Sequence, residues 1–144
     1  MSKPKERIQD GKIIHYSVGA LIQEKGRYLL IERGVPPPGF AGIAGHIDQN
    51  ETPEEALKRE VEEESGLKIQ RYELLFQEFI TWNWCSKGVT GHYWYLFECQ
   101  VSGEIKINVR ETKSIKWYTA EEIRTLALEP VWKHWFEKTE IIVV

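Results

Sequence analysis

The sequence predicts a mixed α/β domain of the α+β kind, with helices packed against a sheet. Three observations carry this prediction. Long β-branched and aromatic runs recur between Lys12 and Tyr118, a well-capped helical stretch follows Thr52, and a second helical stretch follows Pro130.

Taken in order, Lys12 to Ile22 is rich in Ile, Tyr, Val and Leu. Glu24-Lys25-Gly26 then turns the chain into Tyr28-Leu29-Leu30-Ile31, which makes a hairpin. Gly34 to Gly39 holds three consecutive prolines, which remove backbone donors and fix φ. It is therefore expected to be a loop, running on into Gly42-Ile43-Ala44-Gly45-His46. Thr52 is placed to cap a helix, Pro53 fits its first position, Glu55 completes a capping box and Gly66 is placed to end it. The helix is expected from about Pro53 to Ser65. Leu67 to Trp84 and Thr90 to Val101, joined near Ser86-Lys87-Gly88, read as a second pair of strands, and Ser114 to Tyr118 as a shorter one. Thr119-Ala120-Glu121-Glu122 repeats the capping-box pattern and opens a short helix, and Val131 to Lys138 makes another.

At 144 residues, with no internal repeat and no linker, the chain is expected to be one domain over 1–144. Charged residues make up 28%, mean hydropathy is −0.43 and no 18-residue apolar run occurs, which excludes a membrane-spanning helix. The start, Met-Ser-Lys-Pro-Lys-Glu-Arg, lacks the apolar stretch of a secretory signal, so the cytoplasm is the expected compartment. Cys85 and Cys99 are too few for a disulfide framework or a four-ligand zinc site, and read as reduced side chains. A net charge of −3 and a pI near 5.9 offer no broad attraction to a nucleic-acid polymer. A small polyanionic substrate must then be met locally, by a few cations or a metal. The assembly state stays open between monomer and homodimer.

Chemistry concentrates on the first helix. Glu60, Glu63 and Glu64 stand at i, i+3 and i+4, so three carboxylates share one face. Crowded together they repel, and a hard divalent ion with oxygen ligands, Mg²⁺ above all, relieves that repulsion. Leu57 and Val61, also spaced i and i+4, supply an apolar anchor for the same helix. Taken alone, the glutamates equally suit a solvated helix with no function, because Glu is a good helix former.

The wider pattern decides between these readings. Gly45, Glu51, Arg59, Glu60, Val61, Glu63, Glu64, Gly66 and Leu67 fit Gly-x5-Glu-x7-Arg-Glu-U-x-Glu-Glu-x-Gly-U, where U is bulky and aliphatic. A match of this kind arises of order once in 10⁸ random chains. It resembles the box of the Nudix hydrolases at every specified position. The resemblance implies a Nudix-type α/β/α sandwich with a mixed β-sheet. It also implies a catalytic set of Glu63, Glu60, Glu64, Arg59 and Glu51, in which the first three hold Mg²⁺ (or Mn²⁺) and Arg59 pairs with Glu51 to hold the loop. Where relatives have Pro-Gly-Gly this chain has Ile43-Ala44-Gly45, so the backbone carbonyl that relatives lend to the metal falls to Ala44.

Several candidates lie outside the box. Glu98, an acidic residue after the apolar run Tyr93 to Phe97, matches a strand position that supplies a further ligand in some Nudix enzymes, or else marks an exposed strand end. Glu78 and Glu111 are rivals for the general base. Arg33 resembles a position where relatives set a cation against substrate phosphate, or else is a solvated strand end. Trp82 and Trp84 are placed to stack on a nucleobase, or else to pack within the protein. His46 lies in the box loop, where it is placed to contact phosphate or to be satisfied by a local hydrogen bond; its position is variable in the pattern, and it is left out of the catalytic set.

By resemblance, the implied activity is metal-assisted attack of water on a nucleoside diphosphate linked to another moiety. A nucleoside triphosphate releasing pyrophosphate is the first expectation, with nucleotide sugars and ADP-ribose as alternatives. ADP-ribose-specific relatives tend to carry a proline some fifteen residues past the box, and Ile80 to Trp84 has none. An inactive nucleotide-binding module of the same fold tends to lose box glutamates, whereas all of them are present here.

Overall fold

The computed structural model describes residues 3–34, 39–82, 89, 91–107 and 112–143. Two tight turns open the fold. Asp10 and Gly11 have φ of 52° and 75°, and Lys25 and Gly26 have φ of 50° and 76°. Positive φ at both central residues gives a turn whose twist matches that of paired strands. The first turn joins β1 (Glu6–Gln9) to β2 (Lys12–Glu24), and the second joins β2 to β3 (Arg27–Arg33). The second hairpin was expected. The first was not, because β1 is exposed along its whole length and shows no apolar alternation; its one local signal was the Asp10-Gly11 pair.

A second departure concerns the stretch expected to be an irregular loop. Val35 to Pro38 lie outside the described residues, but Gly39–Ala41 forms β4 against β3, and Ile43–His46 forms β5 against β2. Glycine here marks close approach instead of a turn. A Cβ on Gly42 would run into the ring of Trp132, and one on Gly45 would run into the carboxylate of Glu60.

The remaining elements follow the expected order. They are α1 (Pro53–Ser65), β6 (Lys68–Ile80), β7 (Gly91–Ser102), β8 (Thr112–Thr119), α2 (Ala120–Ile123) and α3 (Pro130–Lys138). The β6–β7 connection expected near Ser86-Lys87-Gly88 lies outside the described residues.

Strand β2 organises the sheet. Along one edge it runs parallel to β7, from Ile14 opposite Gly91 to Ile22 opposite Cys99. Along the other it meets three antiparallel partners in turn: β1 beside Lys12 to His15, β5 beside Ser17 to Ala20, and β3 beside Gln23 and Glu24. Antiparallel β6 extends the β7 side, and β8 extends β3. The sheet is therefore mixed, as expected.

Helices cover both faces. On one side α1 buries Ala56, Leu57, Val61 and Ser65, so the two anchors read from its spacing do hold it to the sheet. On the other side α3 buries Val131, Trp132, Trp135 and Phe136. Trp132 lies over Gly19, where a Cβ would come within 3.3 Å of its ring, and Trp135 meets the rings of Trp94 and Phe76. No helix among the described residues is long and apolar enough to cross a membrane.

Candidate active site

Helix α1 begins as its sequence dictates. Thr52 has extended backbone, its hydroxyl accepts from the Glu55 amide at 3.1 Å, and the Glu55 carboxylate accepts from the Thr52 amide at 2.9 Å. Gly66 ends the helix in the left-handed conformation at φ 76°, a position that favours glycine. The acidic Glu54 and Glu55 meet the positive end of the helix dipole. No basic side chain stands in the last turn, so Glu63 and Glu64 there lie at the dipole's negative end. The helix thus concentrates negative charge where its own backbone opposes it.

One arginine fastens this helix to the loop before it. Arg59 donates from Nε to Glu51 Oε2 at 2.7 Å and from Nη2 to Glu51 Oε1 at 3.0 Å, a bidentate pair. The same Nη2 donates to the His46 carbonyl at 2.9 Å, while Nη1 donates to Glu60 at 2.8 Å and to Glu63 at 3.3 Å. Glu51 also accepts from the Asp48 amide at 2.9 Å, which closes the loop on itself. The hydrogen bond from Arg59 holds the Glu51 carboxyl below its ordinary range, outweighing burial, with the Asp48 amide helping.

Glu60 is far more confined than Glu63. Its side chain is 13% exposed, against 59% for Glu63, and its carboxylate is seated against Gly45 in space that any Cβ there would fill. Burial drives its pKa up to about 7; Arg59 works against this, while Glu64 and Glu63 add to it. A half-protonated carboxyl near neutrality is what a buried acidic cluster becomes without a cation. The donor set consists of three carboxylates on one helix face. It is all oxygen and anionic, and so suits a hard divalent ion.

The other candidates stand on β3, β6, β7 and the segment just after β6. Glu98 lies opposite Leu21 and Glu73, two residues beyond Leu96. Leu96 faces Gly19 and the α3 side, so Glu98 points to the face away from α1. It lines a concavity with Gln23, Glu24 and Lys25. Arg33 sits 3.7 Å from Glu129, a buried carboxylate whose pKa burial raises against the pull of Arg33. Trp82 is 51% exposed and meets the His134 ring edge-on at 5.6 Å. Glu78 accepts from Lys138 Nζ at 2.8 Å and bonds the His134 ring at 2.9 Å. Burial raises its carboxyl, but these two partners prevail and hold it below the ordinary range. Burial also drives the Cys99 thiol up to about 12, so it stays protonated and inert. Trp84, Cys85 and Glu111 lie outside the described residues. Sequence reading missed Glu129 and, more importantly, His15 and His92, which come together with His46. The available signal was the rule applied to Glu98, that a polar residue in an apolar strand needs a partner.

Arg59 and Glu51 pair as the resemblance implies, and the loop, the capped helix and a glutamate seated against Gly45 come together at one place. A model of the NUDIX domain matches residues 14–139, and the chain belongs to that family. Among its relatives is the nucleoside triphosphatase NudI of Enterobacter sp. (strain 638), 32% identical over 119 residues, covering 75% of this chain and 84% of NudI. The human NAD-capped RNA hydrolase NUDT12 is 34% identical over 92 residues, covering 64% of this chain but only 19% of NUDT12. The chain thus spans about a fifth of that larger relative. Among solved structures, the MutT NUDIX hydrolase from Burkholderia pseudomallei superposes with a TM-score of 0.76 at 24% identity, over 86% of this chain and 96% of that one. The α/β/α arrangement around a mixed sheet is therefore the Nudix fold.

Proposed function

We propose that the chain is a Nudix pyrophosphohydrolase whose Mg²⁺ is held by Glu60, Glu63 and Glu64 with the Ala44 carbonyl. The observation that carries this reading is the seat of Glu60. A glutamate on an exposed helix face has no reason to be pressed against a glycine and fixed by an arginine that also grips the preceding loop. When bound, the metal supplies charge neutralisation at the diphosphate bridge and lowers the pKa of attacking water. The protein's own groups do the positioning. Arg59 and Glu51 set the loop, the buried end of Glu60 fixes the helix against β5, and Glu63, the most exposed of the three, is placed to take a proton from water. Glu78 is a poor rival as base because Lys138 and His134 already hold it. Glu98 stays outside the proposed ligand set because it faces the other side of the sheet.

A nucleoside triphosphate cleaved to nucleotide and pyrophosphate is the substrate we favour. The support is the likeness to NudI, which extends over most of both chains. A dinucleotide with an internal diphosphate is the second reading, favoured by the likeness to NUDT12. Trp82, half exposed beside His134, is the aromatic surface offered to a base in either case. The test is a panel of nucleoside triphosphates, nucleotide sugars, ADP-ribose and dinucleotides assayed with Mg²⁺. Fastest release of pyrophosphate from a triphosphate is expected. Preferential release of two mononucleotides from a dinucleotide would move the assignment to the second reading, and an inert panel would refute the enzymatic one.

A further inference from the structure

His15, His46 and His92 come from three different strands, β2, β5 and β7, and register brings them together. His15 stands directly opposite His92 across the parallel β2–β7 pair. His46 stands opposite Ser17, two residues on from His15 and hence on the same face. One ring nitrogen or the other from each of the three lies within 4.8 Å of those from the other two. The His46 and His92 rings stack at 5.8 Å and 11°, and His15 meets His46 edge-on at 4.8 Å. His15 and His92 are each 1% exposed.

The fourth strand at this point, β1, brings Glu6 opposite His15. Glu6 Oε2 lies 2.8 Å from His15 Nε2. A carboxylate only accepts, so Nε2 donates, and in the neutral ring Nδ1 is left with its lone pair. His15 Nδ1 is buried and has no hydrogen-bond partner. A carboxylate that fixes the tautomer of a buried imidazole and frees its other nitrogen is the outer support commonly found behind metal-binding histidines.

We infer that His15, His46 and His92 form a binding site for a borderline divalent transition ion of the zinc(II) class, with Glu6 orienting His15. Imidazole nitrogens select such ions, whereas the oxygen donors of α1 select Mg²⁺, so the two sites differ in chemistry as well as in residues. A tetrahedral ion with nitrogens at 2.0–2.1 Å needs them about 3.3 Å apart, so filling the site draws the three rings together by small side-chain rotations. Three protein donors leave the ion one further position. The ion would tie β2, β5 and β7 directly, and β1 through Glu6. It would also steady the strand whose His46 carbonyl receives Arg59.

The test uses the full chain, stripped with a chelator and kept in millimolar Mg²⁺ so that the carboxylate site is occupied. Zn²⁺ is titrated calorimetrically, and Co²⁺ is added separately to read visible d–d absorption. We expect one Zn²⁺ per chain, a higher melting temperature and Co²⁺ bands of tetrahedral intensity. H46Q, at the part-buried position, and H92N should each weaken Zn²⁺ at least about 30-fold, and E6Q about 10-fold. An E63Q/E64Q double variant should bind Zn²⁺ unchanged. No stoichiometric Zn²⁺ uptake would overturn the proposal. So would equal affinity in the wild type, H46Q and E6Q, or loss of binding in E63Q/E64Q. If H92N fails to fold, H46Q and E6Q still decide the matter.

Discussion

The two longer helices cover opposite faces of one sheet and are held there by different forces. Helix α3 starts without any side-chain cap at Glu129, and buries two tryptophans, a phenylalanine and a valine in nine residues. Helix α1 has a complete capping box and a left-handed glycine at its end, but its buried face holds only Ala56, Leu57, Val61 and Ser65. Arg59 instead ties it to the preceding loop through Glu51 and the His46 carbonyl, and bonds Glu60 and Glu63 along the helix itself. Packing holds α3, while polar geometry holds α1. The lesson is that the helix proposed to carry the chemistry cannot rest on bulk. Three carboxylates must stay close together on one face, and rigidity has to come from caps and from a shared arginine.

This contrast can be broken most forcefully on the α3 side. Trp135→Ala or Trp132→Ala should cost about 3–5 kcal/mol, as loss of a fully buried tryptophan does, and chemical denaturation would register it. A cost below about 1 kcal/mol in both variants would remove the claim that packing holds this helix.

The α1 side should respond to pH in a way that α3 does not. Without divalent ions, Glu60 has a folded pKa of about 7 against an ordinary 4.5. Folding then favours its protonated form, so its contribution is fully present below about pH 4.5 and is lost as pH rises to 7. The loss amounts to roughly 3 kcal/mol. Glu60→Gln should abolish that decline, leaving the metal-free variant more stable than the wild type at pH 8. Denaturation curves of both proteins at pH 5 and pH 8 provide the comparison. Parallel behaviour of the two would show that burial does not burden this glutamate.

The smallest effect sharpens the same contrast. Thr52→Ala removes one side of the capping box and should cost about 1 kcal/mol, again by chemical denaturation. Helix α3 has no equivalent cap to remove, because the Glu129 side chain makes no capping hydrogen bond.

How much of this was legible beforehand follows the same division. Helix α1 was readable to the residue because caps are local: Thr52, Pro53, Glu55 and Gly66 each act within one turn. The pairing of β6 with β7 was readable because aromatic and β-branched runs are long. Strands β4 and β5 were not, since Gly39, Gly42 and Gly45 resemble turn residues until Trp132 and Glu60 are seen lying against two of them. Strand β1 was hidden because its side chains are all exposed. The box was legible as spacing, and its fastening by Arg59 followed from resemblance. The histidine cluster was invisible. His15, His46 and His92 are far apart in sequence, and only the parallel pairing of β2 with β7, together with the placement of β5 beside β2, brings them together.

The central claim is that the glutamates of α1 form a working metal site, and the most direct test compares wild type, Glu63→Gln and Glu64→Gln. Melting temperature and hydrolysis of the best panel substrate are measured with and without millimolar Mg²⁺. The wild type should gain both stability and turnover from Mg²⁺, and each variant should stay folded with turnover at least roughly 100-fold lower. If Mg²⁺ changes neither quantity in the wild type, or either variant turns over at a near-normal rate, the account is wrong.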